Sequence, residues 1–192
     1  MKDLGVTGRI ALLIIVALAT LPSVGAAKEL EAGDPAPLFS AKTQDGKVFN
    51  LADRKGKWTV LYFYPKAGTP GCTKQAGAFR DSIEVIRAEG AEVYGISTDD
   101  VEAQAAFHAD EQLTFPLIAD PEGTITEAYG AKMFILTLSK RWTFIIDPTL
   151  TIRQVQHDVD PTEDAGRVAA ELARLKAAAE SSSQVGGSGS LR

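Results

Sequence analysis

The segment YPKAGTPGCTKQAG, residues 64–77, holds the only cysteine in a chain of 192 residues. A thiolate is a strong nucleophile, and the start of a helix favours it. Roughly half a positive charge and several unpaired N–H donors gather there. Cys72 follows Thr69, Pro70 and Gly71. Proline fixes the turn, glycine lets another group approach the backbone closely, and Thr69 can aim its hydroxyl at whatever the sulfur attacks. The competing reading is inert: a lone cysteine on an apolar helix face is commonly a small buried hydrophobe. Periodicity alone favours that second reading, and the Thr-Pro-Gly-Cys setting favours the first.

A thiol so placed needs a strand to deliver it and a helix that begins at it. WTVLYFYP, residues 58–65, is a continuous β-branched and aromatic run that ends at Pro65. That is the pattern of a central strand buried on both faces. Beyond it, Cys72, Ala76, Phe79, Ile83 and Ile86 recur at spacings of four, three, four and three, one face of a helix with Cys72 in its first turn. AEVYGIST (91–98) reads as a strand, and Asp99 with Glu102 predicts a capped helix to about Gln112. FPLIAD reads as a strand and PEGTITEAYG as a short helix stopped by Gly130. RWTFIID and TIRQVQHDV form a hairpin through Asp147, Pro148 and Thr149. Asp160, Pro161, Thr162 and Glu163 open a last helix with Val168, Leu172 and Leu175 as its buried stripe. Near the start, GDPAP (33–37) is an extended loop and DGKVFNL a turn feeding a short strand. The order β-β-α-β-α-β-α-β-β-α is an α/β layout, a central mixed sheet flanked by helices. Strand, turn, cysteine and helix near the start, with hairpin and helix at the end, follow the plan of the thioredoxin fold.

The two ends fall outside that plan. Residues 1–27 have a positive start, Lys2 and Arg9, then the stretch IALLIIVALATL and small residues. This is a secretory signal with cleavage after Ala26 or Ala27; the stretch is shorter than the ~20 residues that span a bilayer. An uncleaved membrane anchor is the alternative. Cleavage takes the net charge from −5 to −6, because two cations and one acid leave. From Ser181 the chain is Ser/Gly-rich and is expected to be disordered. Residues 28–180 then form one domain, exported and periplasmic. No basic cluster points to nucleic acid or an anionic membrane. One cysteine with His108 and His157 gives no metal-ligand spacing, and no cofactor is expected. Export sharpens the puzzle of the single thiol, since exported cysteines usually come in structural pairs.

Pro65, Thr69 and Cys72 fit the signature Pro-x-x-x-Thr-x-x-Cys, and FYPKAGTPGCTKQAGAFRD resembles the peroxiredoxin Q branch of the peroxiredoxins, also called bacterioferritin comigratory protein. The similarity continues through VYGISTDD, FPLIADPEG and RWTFIIDP, roughly residues 30–176. The resemblance implies a thiol-dependent peroxidase acting on hydrogen peroxide and organic hydroperoxides. Cys72 would be oxidised to a sulfenic acid. Thr69 would hydrogen-bond the peroxide, and Arg141 would match the family's active-site arginine. Pro65 would shield the sulfur, and the Gly71 and Cys72 N–H groups would complete the oxygen site. Gln75 would help arrange the first turn. Without the resemblance, Pro65 only ends a strand and Arg141, beside Lys140, is a surface charge.

The departure from the family is at Gly77, where many members of the branch carry a resolving cysteine. With no other cysteine, the sulfenic acid must be reduced by an external thiol, whether thioredoxin-like, glutaredoxin-like or of low molecular weight. The expected assembly is a monomer or weak homodimer with no stable membrane partner. A Cys-x-x-Cys oxidoreductase is excluded by Gln75, and a Cys-x-x-x-Cys copper chaperone by Ala76. A non-enzymatic thioredoxin-fold binding module remains as the alternative, kept open by the missing thiol and the unusual GAKMFILTLSK stretch.

Overall fold

The computed structural model describes residues 29–133 and 137–187. The expected signal segment, within residues 1–28, Phe134, Ile135 and Leu136 of GAKMFILTLSK, and residues 188–192 of the expected Ser/Gly tail lie outside the described residues.

A hairpin of β1 (Ser40–Lys42) and β2 (Val48–Asn50) turns at Asp45 and Gly46, and a 3-10 turn Leu51–Arg54 follows. The main sheet comprises β3 (Trp58–Phe63), β4 (Ala91–Ser97), β5 (Leu117–Ala119), β6 (Trp142–Ile146) and β7 (Ile152–Gln156), in the order β5-β4-β3-β6-β7. β3 is central, parallel to β4 and antiparallel to β6. The helices are α1 (Pro70–Ala88), α2 (Val101–Asp110), α3 (Thr124–Ala128) and α4 (Asp164–Gly187). This is the mixed sheet and helix arrangement of the thioredoxin fold.

The uninterrupted apolar run of β3 feeds two cores, because successive side chains of a strand point to opposite faces. Val60, Tyr62 and Tyr64 join Cys72, Ala76, Phe79, Ile83 and Ile86 of α1 and Val168, Leu172 and Leu175 of α4. Leu61 and Phe63 join Ile96, Ile125, Tyr129, Phe144 and Ile146. Each sheet edge is met in part by the N-terminal segment. Gly33 and Asp34 exchange backbone bonds with Ile152, and Thr43 bridges Ile118 beside β5.

The sequence order had two strands before α1, and β1, paired with β2, makes three. Two further expectations change. Asp100, not Asp99, caps α2, accepting from Ala103 N at 2.8 Å. Asp99 is unavailable because its Oδ2 already accepts from Ala67 N at 2.8 Å and Ser97 Oγ at 2.7 Å. The second change is at the far end. α4 continues to Gly187 and so takes in the first residues of the Ser/Gly tail. Three alanines and Glu180 lead into those serines, and Ser181 Oγ donates back to Ala178 O at 2.9 Å, a bond that keeps the helical turn.

Candidate active site

Thr69 stands immediately before α1 in extended backbone (φ −83°, ψ 149°), Pro70 takes the first turn, and Gly71 and Cys72 follow it. The N–H groups of Gly71 and Cys72 belong to the set that has no intrahelical acceptor, and they point out of the helix start. Cys72 is a free thiol and only 1% exposed. Thr69 Oγ1 donates to Lys66 O at 2.9 Å. Its one hydrogen is therefore used, and the oxygen offers lone pairs to any O–H that approaches. Pro65 is half-buried just past the end of β3. The loop between them is held from the side by Asp99, through the Ala67 bond.

Arg141 is the residue before β6, and β6 lies beside β3, so the guanidinium comes to the start of α1. Its Nη2 donates to Cys72 Sγ at 3.4 Å, and its Nη1 donates to Gln75 Oε1. Gly71 makes room for it: a Cβ there would sit 3.1 Å from Arg141 Nη2. A side chain at residue 71 would press on the group that touches the sulfur.

Gln75 was expected to arrange the first turn of α1. Its bonds instead leave the helix. The residue is wholly buried, its Oε1 faces Arg141, and its Nε2 donates to Asp164 Oδ2 at 2.6 Å. Thr143 Oγ1 donates to the same oxygen at 2.8 Å. Asp164 Oδ1 is buried with no hydrogen-bond partner. Burial pushes the Asp164 carboxyl above its ordinary value, against the opposing pull of Gln75, Thr143 and Arg141. Burial likewise pushes the Tyr62 phenol well above its ordinary range, so it stays neutral on the floor beneath the thiol. Tyr62 stacks on Phe79 with ring centroids 4.6 Å apart.

Sequence reading missed Asp164. It lies in an acid-rich stretch with Asp158, Asp160 and Glu163, where nothing in composition marks it out. The signal was its register: Asp164 falls four residues before Val168, at the head of the stripe Val168, Leu172 and Leu175. An acid on an apolar stripe must find partners inside the protein.

The model of the AhpC/TSA family matches residues 32–155, and the chain belongs to that family. It is 46% identical over 116 residues to the chloroplastic peroxiredoxin Q of Populus jackii, covering 60% of this chain and 54% of that one. Among solved structures, Peroxidoxin BcpB from Mycobacterium tuberculosis superposes with a TM-score of 0.71 at 34% identity, covering 76% of this chain and 97% of that one. Xanthomonas campestris peroxiredoxin Q superposes with a TM-score of 0.68 at 27% identity, covering 71% and 90%. The protein is a one-cysteine peroxiredoxin of the Q branch, a thiol-dependent peroxidase.

Proposed function

We propose that Cys72 is the peroxidatic nucleophile and that Thr69, Arg141 and the N–H groups of Gly71 and Cys72 hold the peroxide in line with it. The Cys72 thiolate attacks one peroxide oxygen. The S–O bond forms as the O–O bond breaks, and the departing oxygen takes a proton to leave as water or an alcohol. Two electrons have moved from sulfur to peroxide, and Cys72 is a sulfenic acid. Arg141 stabilises the charge that gathers on the departing oxygen. Thr69 accepts from the peroxide O–H and orients it. The observation that carries this reading is the guanidinium contact to the sulfur at 3.4 Å.

The reductant is an external thiol, because position 77 is glycine and the chain has one cysteine. The first thiol attacks the sulfenic sulfur, releasing water and leaving a mixed disulfide. A second thiol attacks that disulfide, restoring Cys72 and carrying away an external disulfide. The 1% exposure of Cys72 favours a small thiol over a protein one, since less of the surroundings must open to admit it. The protein works in an exported compartment, a reading supported by the pattern of residues 1–27 and tested by N-terminal sequencing of the mature chain.

Cys72→Ser tests the nucleophile. Serine is near-isosteric and far less acidic, so the variant folds and consumes no peroxide. A variant that still turns over with dithiothreitol refutes the assignment. Mass spectrometry after millimolar peroxide should find one, two or three added oxygens on wild-type Cys72, and none would favour a binding module.

A further inference from the structure

Beyond the residues that meet the peroxide, we infer that Asp164 is a positioning residue for the reaction: through Gln75 it fixes the guanidinium of Arg141 against the Cys72 sulfur. The inference rests on the reading of Arg141 given above and extends it by one further link.

The link follows from donor and acceptor chemistry. A guanidinium only donates, and Asp164 Oδ2 accepts from both of its neighbours. Gln75 sits between them with one end of each kind. In the observed orientation its oxygen faces Arg141 and its amino group faces Asp164. Turning the amide over would set N–H groups against N–H groups at Arg141 and oxygen against oxygen at Asp164. The acid therefore selects the orientation in which Gln75 can receive Arg141. Without it, the amide is held at its Arg141 end alone, its Nε2 loses the partner that fixes the side chain, and the oxygen that receives Arg141 Nη1 is less firmly placed.

Asp164 is not needed for the ordinary task of a first-turn acid. The turn into α4 is held by Asp160, whose Oδ1 accepts from Thr162 N at 2.7 Å and from Thr162 Oγ1 at 2.6 Å and whose backbone carbonyl accepts from Asp164 N at 3.1 Å. Asp164 instead turns inward, 1% exposed. Both of its donors reach Oδ2, one from α1 and one from β6. These are the two elements that carry Cys72 and follow Arg141. A buried acid with its second oxygen unpartnered is a poor device for stability alone.

The test is a set of variants read by the second-order rate of Cys72 oxidation by hydrogen peroxide. Asp164→Ala should lose about tenfold, and Asp164→Asn, whose carbonyl can accept from Gln75, should recover the rate to within threefold of wild type. Arg141→Gln combined with Asp164→Ala should be no slower than Arg141→Gln alone, because the acid acts only through the guanidinium. A purely structural acid would slow the double variant further and would not be rescued by asparagine; either result overturns the inference. Should Asp164→Ala not fold, Gln75→Met reads the same chain from its middle, with the same tenfold loss expected and a rate within twofold of wild type refuting it. If Arg141→Gln is itself as fast as wild type, the reading of the site fails and this inference with it. If Arg141→Gln is slow and Asp164→Ala is fast, only this inference fails.

Discussion

Arg141 Nη2 lies 3.4 Å from Cys72 Sγ although 69 residues separate the two in sequence. The antiparallel pairing of β3 with β6 closes that distance, since Phe63, the last residue of β3, is the partner of Trp142, the residue after Arg141. A strand register thus decides which cation meets the thiol.

Arg141→Gln should slow oxidation of Cys72 by peroxide about a hundredfold, corresponding to a loss of roughly 3 kcal/mol of transition-state stabilisation. Stopped-flow measurement with hydrogen peroxide checks it. A variant within twofold of wild type would make Arg141 a bystander charge.

Gly71→Ala should separate stability from activity. Alanine in a helix is favoured over glycine by up to about 1 kcal/mol. The same methyl would press on Arg141 Nη2 from 3.1 Å and move it off the sulfur. The expected result is equal or higher denaturation midpoint with about a tenfold slower peroxide reaction. Unchanged kinetics would mean the guanidinium shifts without consequence.

Gly95→Ala should do the reverse and strike the fold. A Cβ there would lie 2.6 Å from Tyr62 Oη and 2.7 Å from Leu117 Cδ2, contacts that side chains cannot keep. Tyr62 is wedged against Phe79, so the overpacking should cost about 1–3 kcal/mol. Urea denaturation reads this directly. A change below about 0.5 kcal/mol would show that the phenol has somewhere else to go.

Asp164 should leave a mark on the pH dependence of stability. Burial raises its folded-state pKa above the ordinary value of 3.8. The folded protein then holds this proton more tightly than the unfolded chain. Its contribution to stability is full below that ordinary value and is lost as pH rises through the raised one. Asp164→Asn removes the titration, so its stability relative to wild type should improve between pH 4 and pH 7. A difference that stays constant or narrows over that range would mean the carboxyl ionises in the folded protein as it does in the unfolded one.

The sheet and the helix stripes were legible because each rests on a local period. Cys72, Ala76, Phe79, Ile83 and Ile86 are all buried along α1, as their spacing required. The placement of Thr69 and Cys72 at the start of α1 was legible because a short motif carries them. The cap of α2 was misread by one residue, because two adjacent aspartates offer the same local chemistry and a bond to Ala67 decided between them. Asp164 was missed for a related reason. Its partner, Gln75, is 89 residues away, and a hydrogen bond across that span leaves no local period.

The helix that supplies Asp164 follows every other described element in the sequence. A ribosome must add 69 residues after Cys72 before Arg141 exists and 89 after Gln75 before Asp164 does. At 5–20 residues per second that is on the order of 5–20 s during which the thiol is present and its surroundings are not. A growing or truncated chain therefore meets peroxide as an ordinary cysteine peptide. If Asp164 acts as inferred, the thiol gains its full reactivity only when α4 packs against α1 and brings that acid to Gln75.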